Sequence, residues 1–156
     1  MGLFSENAPT ANFSKLGDEI SGVIVDIYQH HRTQYGTGIP MYWVANKPTA
    51  GVKTDSTGKA CDPVMDVVIV LDTDTPNEFG DTQRRLFIKG KQMMNGVKAA
   101  RRASGAKDVE KGGRLSCKWS SGTGGQGGTP KVYEFTYKAP VAQTAFAETQ
   151  SEEAPF

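Results

Sequence analysis

Cysteine and histidine are almost missing from this chain, which carries two of each in 156 residues. Cys61 and Cys117 lie far apart, which suits free thiols in a reducing compartment rather than a disulfide framework. His30 and His31 are adjacent, so on a strand their side chains diverge, and no cysteine or carboxylate spacing completes a metal site. No metal and no cofactor are expected. Long apolar runs are missing too: none approaches the ~18 residues that a membrane helix needs. The opening MGLFSENAPT has neither the basic start nor the apolar core of a secretory leader. A cytoplasmic protein without a membrane partner is the expectation. Catalytic patterns are equally scarce. The glycines of 122–128 are not followed by G-K-[ST] and fall between two strands rather than before a helix, so they do not make a phosphate loop. No Ser/His/Asp arrangement can be drawn, and no enzymatic activity is expected.

Acidic residues are scarce in one region only. Residues 1–83 hold 5 Lys/Arg against 11 Asp/Glu, residues 84–140 hold 13 against 3, and residues 141–156 hold none against 3. The net charge of +1 therefore conceals a strongly basic segment between two acidic ones. A chain of this kind can present a basic face to a polyanion while staying neutral overall.

Periodicity supplies the elements. In EISGVIVDIYQ, 19–29, Val23, Val25 and Ile27 alternate as in a strand, with Gly22 marking a bulge or bend. A long polar stretch, 30–62, follows; MYWV, 41–44, reads as a short strand, half of a hairpin. PVMDVVIVLD, 63–72, is the strongest strand, with Met65, Val67, Ile69 and Leu71 on one face and Asp66, Val68, Val70 and Asp72 on the other. In RRLFIK, 84–89, Leu86 and Ile88 oppose Arg85, Phe87 and Lys89. KQMMNGVKAARRASG reads as a helix with Met93, Val97 and Ala100 on one side and Gly105 as its C-cap; Gly96 weakens it by ~1 kcal/mol, so packing must support it. GRLSCKWSS, 113–121, sets Leu115, Cys117 and Trp119 against Arg114, Ser116 and Lys118, with Trp119 read as core. KVYEFTYK, 131–138, places Tyr133, Phe135 and Tyr137 together.

Five strands with a helix between the third and fourth is the element order of a mainly β OB-fold, a five-stranded Greek-key barrel. The expected organisation is an N-terminal arm, 1–16, an OB-fold domain, 17–138, and a flexible acidic C-terminal tail, 139–156, comprising a tether and a docking tip. The carboxylates of Asp66, Asp72, Asp74 and Asp81 are expected to be solvated charges at strand edges rather than a cation site.

Between Arg84 and Lys118 lie eleven Lys/Arg and only Asp108 and Glu110. Neutralising phosphates with such a stretch releases counterions, the sequence-independent source of nucleic-acid affinity; the competing reading is a solubilising surface. Phe87 between Arg85 and Lys89 fits the single-strand binding mode, in which bases stack on rings and cations follow the backbone. Tyr35, Tyr42 and Trp43 on the first long loop offer further rings; for each ring alone, packing competes with stacking. The candidate DNA-binding residues are Arg32, Tyr35, Tyr42, Trp43, Arg84, Arg85, Phe87, Lys89, Lys91, Arg114, Lys118 and Lys131.

The segments GDEISGVIVDI (17–27), RRLFIKGKQM (84–93), KGGRLSCKW (111–119) and PKVYEFTY (130–137) resemble the single-stranded-DNA-binding proteins of bacteriophages, especially those infecting actinobacteria. The ending SEEAPF is similar to the tip of bacterial single-stranded-DNA-binding proteins, matched here by Glu152, Glu153, Ala154, Pro155 and Phe156. Its acidic run is short, and Ala154 stands where that family has a larger apolar residue. The resemblance implies sequence-tolerant binding of single-stranded DNA in the host cytoplasm and assembly as a homo-oligomer, a dimer or tetramer. It also implies recruitment of replication, recombination and repair proteins of phage or host through the tip, where a Phe ring enters an apolar pocket and the acids meet a basic rim. The alternatives are an RNA-binding OB-fold protein and a structural or adaptor protein that uses barrel and tail for protein contacts alone.

Overall fold

The computed structural model describes residues 8–125 and 127–140. In chain order its elements are β1 (Glu19–His31), β2 (Met41–Val44), β3 (Lys47–Ala50), β4 (Met65–Asp72), β5 (Gln83–Ile88), α1 (Gly90–Ser104), β6 (Arg114–Ser121) and β7 (Val132–Lys138). They fall into two compact units, one formed by Tyr28–Val67 and the other by the chain on either side of it.

The larger unit is organised by a five-stranded antiparallel sheet of order β5-β4-β1-β6-β7. Alternation reads its core well. Leu115 and Cys117 on β6 are fully buried, Trp119 nearly so, and their cross-strand partners on β7 are Tyr137, Phe135 and Tyr133. On β5, Leu86 and Ile88 are both 2% exposed. Burial pushes the Cys117 thiol up to about 12, so its thiolate is suppressed at neutral pH. Two strands depart from the alternation. On β1 the deeply buried apolar side chain is Ile24, while Val23, Val25 and Ile27 are half-buried. On β4 every residue from Asp66 to Leu71 is buried, because both faces of this interior strand are covered.

The expected Greek-key barrel is not closed. β5 and β7 are the two ends of the sheet, so the molecule has an open sheet where full closure would join them. Part of the expected arm 1–16 pairs with β5 and touches β7 through one ring. Arg85 of β5 donates its backbone N–H to the Pro9 carbonyl and accepts from Ala11, both at 2.8 Å. Phe13 then packs edge-on against Tyr133 of β7, with ring centroids 5.2 Å apart. Ala8 is itself buried. The two backbone bonds to Arg85 cover part of a β5 edge that would otherwise offer unpaired groups.

Two glycines let backbones approach. A Cβ on Gly22 would lie 2.5 Å from the backbone oxygen of Asp72, so the bend expected in β1 is a close crossing of two strands. On α1, a Cβ on Gly96 would lie 2.7 Å from Cδ2 of Phe135, and the helix packs on β7 through this gap. Val97 and Ala100 complete its buried side, and Gly105 closes it in the left-handed conformation at φ 80°. Gly96→Ala should therefore destabilise the protein by about 1–3 kcal/mol in urea unfolding, although alanine favours an isolated helix by about 1 kcal/mol, because the Phe135 ring has to move. An unchanged or higher midpoint would mean that the ring yields freely.

The Tyr28–Val67 unit carries the β2–β3 hairpin. Its two turn residues, Ala45 and Asn46, both have positive φ (49° and 65°), the left-handed pair that a tight two-residue hairpin needs. Arg32 binds the buried Asp66 in bidentate fashion, Nη2 to Oδ1 at 2.7 Å and Nε to Oδ2 at 3.0 Å. Asp66 is 3% exposed, so it is not the solvated strand-edge charge that its position suggests. Among the described residues, no helix is long and apolar enough to cross a membrane.

Candidate nucleic-acid interface

The β5 side chains that point away from Leu86 and Ile88 form a compact group. Arg85 and Phe87 share this face by strand alternation, and Lys89, the extended residue between β5 and α1, continues it. The Arg85 guanidinium carbon lies 5.5 Å, and the Lys89 ammonium 5.4 Å, from the centroid of the half-buried Phe87 ring. Each cation is within cation–π range of the ring. Arg85 also reaches the Thr10 hydroxyl, at 3.5 Å, while its buried Nε has no hydrogen-bond partner among the described residues. Lys89 is exposed. The group presents an apolar ring framed by two positive charges, the combination that stacks a base and neutralises the phosphates beside it.

The other candidates of this unit are dispersed. The Arg84 guanidinium is committed to backbone, donating to the carbonyls of Asp81 and Gln83 at 2.9 Å and of Thr75 at 3.1 Å, and so ties down the β4–β5 loop. Lys91 is exposed at the start of α1. Lys118 is exposed on β6, but its direct cross-strand neighbours are Glu19 on β1 and Glu134 on β7. That places it between two carboxylates rather than in an unopposed basic field. Arg114, in contrast, lies opposite Lys138, so the basic end of this face is the Arg114/Lys138 end. Lys131 sits with Nζ 4.1 Å from the Trp119 ring centroid. The Trp119 indole N–H donates to the carbonyls of Ser121 and Gly122 at 3.1 and 3.0 Å, which keeps this ring in the core.

Arg32, Tyr35, Tyr42 and Trp43 belong to the Tyr28–Val67 unit. The bond to Asp66 holds Arg32 and raises its pKa above the ordinary arginine value, with burial opposing. Tyr42 packs at right angles to His31, with centroids 5.1 Å apart, and the His31 ring bonds the Met41 carbonyl at 2.7 Å. Tyr35 is fully exposed and Trp43 is 43% exposed, so these two rings of the unit are open to a ligand. The tip residues Glu152, Glu153, Ala154, Pro155 and Phe156 lie outside the described residues.

Two features escape a reading by periodicity. Lys138 acquires meaning only through its register with Arg114. Phe79, in a turn-rich loop with no alternation to mark it, is 81% exposed. No protein-family model, curated protein or solved structure matches the chain.

Proposed function

We propose that this protein binds single-stranded DNA with little regard to sequence, protects it, and recruits replication, recombination or repair proteins through its C-terminal tip. The observation that carries the proposal is the Phe87 ring set between Arg85 and Lys89 on the outer face of β5. A ring accepts any base, since every base has a π-face, and flanking cations accept any phosphate. The fold proposed to hold this site is an open form of the OB-fold. Its first strand lies at the centre of the sheet between the second and fourth principal strands, and its third and fifth lie at the ends, where an OB barrel would close.

A fluorescence titration of labelled oligo-dT, oligo-rU and duplex DNA at two salt concentrations tests this. Binding to oligo-dT far above duplex is expected, and it should weaken as salt rises. Preference for oligo-rU would make the ligand RNA, and binding to none of the three would leave only protein contacts. For the tip, deletion of 151–156 should leave thermal stability nearly unchanged and abolish capture of replication proteins from infected cells. Phe156→Ala should reproduce most of that loss, since one buried aromatic usually dominates a short docking peptide. Equal capture by full-length and truncated protein would remove the tip from the proposal.

A further inference from the structure

The β4–β5 loop is hydrogen-bonded within itself and exposes one large apolar side chain. Asn77 Oδ1 accepts from the backbone N–H groups of Phe79 and Asp81, each at 2.9 Å, and Arg84 clamps the Thr75 and Asp81 carbonyls from the side. At the tip stands Phe79, 81% exposed. Asp74, Glu78 and Asp81 surround it in the chain, all exposed, and their carboxylates make no ion pair among the described residues. An exposed phenyl ring among unpaired acids gains nothing for its own fold and is suited to a surface that is apolar at its centre and basic around it.

The same chain carries such a surface. Helix α1 contains no acidic residue. Flanking the side buried through Val97 and Ala100, the spacing 91, 94, 98, 102 brings Lys91, Met94, Lys98 and Arg102 to one side of the helix. Met94 and Lys98 are half-buried, Lys91 and Arg102 are exposed, and a methionine thioether is a favourable neighbour for an aromatic ring. The Phe79 loop enters β5 and α1 leaves it, so the loop and the first turn of the helix are joined by a six-residue strand roughly 20 Å long.

We propose that the Phe79 loop of one copy docks on the Lys91/Met94/Lys98/Arg102 side of α1 of a second copy, head to tail. Such a contact is heterologous: each copy keeps one loop and one helix free, and the assembly grows as an open chain or ring rather than stopping at a two-fold dimer. The proposal goes beyond DNA binding and is tested without DNA, so a failure of either leaves the other standing.

Sedimentation velocity of the full chain over a concentration series is the experiment. The weight-average sedimentation coefficient should rise past the dimer value and fall back as salt is raised. Phe79→Ala should weaken association at least about tenfold, as loss of an aromatic anchor does. The loop variant D74K/E78K/D81K and the helix variant K91E/K98E/R102E, each checked for native circular dichroism, should be monomeric alone and should pair when mixed, because the unaltered loop then meets the unaltered helix and the reversed loop the reversed helix. A monomeric wild type, a dimer that saturates, association untouched by Phe79→Ala, or reversed variants that fail to pair while natively folded would each overturn the proposal.

Discussion

Arg32→Met should destabilise the protein by about 3 kcal/mol, measured as a fall in the urea midpoint, while Arg32→Met combined with Asp66→Leu should recover most of the loss. The asymmetry comes from burial. Asp66 is 3% exposed and receives two charge-assisted hydrogen bonds from a guanidinium that is itself 22% exposed. Removing the cation strands a carboxylate away from water, which costs about 3–5 kcal/mol. The low end applies here because water reaches the arginine and screens the pair. Removing both partners in favour of apolar groups leaves nothing stranded, and such replacements are often neutral. The prediction also decides what Arg32 is for. Should Arg32→Met unfold no earlier than wild type yet bind oligo-dT more weakly with a shallower salt slope, Arg32 is a phosphate contact, as its residue type alone suggests.

Where one face of a strand is buried and the other open, alternation was enough to read the fold. Leu115, Cys117 and Trp119 on β6 and Leu86 and Ile88 on β5 are core, and Arg85, Phe87 and Lys89 share the opposite face, because period two maps directly onto inside and outside. β4 defeats that reading. It is covered on both faces, so its alternation carries no information about burial, and Asp66 looked like a surface charge when its partner lay 34 residues earlier. Closure was illegible for a similar reason. Whether β5 meets β7 depends on what lies beside them, and Pro9 and Ala11, which bond the β5 backbone, and Phe13, whose ring meets Tyr133, have no periodic mark. Residue type nominated Arg84 and Lys118 as phosphate contacts, whereas neighbours decide: carbonyls engage the first and glutamates flank the second. Gly96 lay between the two cases. Its helix-weakening character required compensating packing, and only the position of Phe135 says where that packing is.

Phe87→Ala and Lys89→Ala should weaken oligo-dT binding in two distinguishable ways. Truncating Phe87 removes a stacking surface, worth ~1–3 kcal/mol per base, and no charge, so affinity should fall about five- to 150-fold at every salt concentration with the slope of log K against log salt nearly unchanged. Lys89 is exposed and its ammonium makes no hydrogen bond or ion pair among the described residues, so its removal should lower affinity mostly at low salt and flatten the slope by roughly 0.7 for a single-strand phosphate contact. Arg85 is the less clean probe, because its side chain also reaches Thr10 and its backbone holds the N-terminal segment. Both cations lean on the Phe87 ring, at 5.5 and 5.4 Å, so losing the ring also frees their positions; the double variant Phe87→Ala/Lys89→Ala should then lose less than the sum of the single losses. Because Phe87 is half-buried, some thermal stability will go with it. A large fall in Tm with oligo-dT affinity intact would place the ring in the packing of the sheet and remove the central support for a single-strand interface on β5.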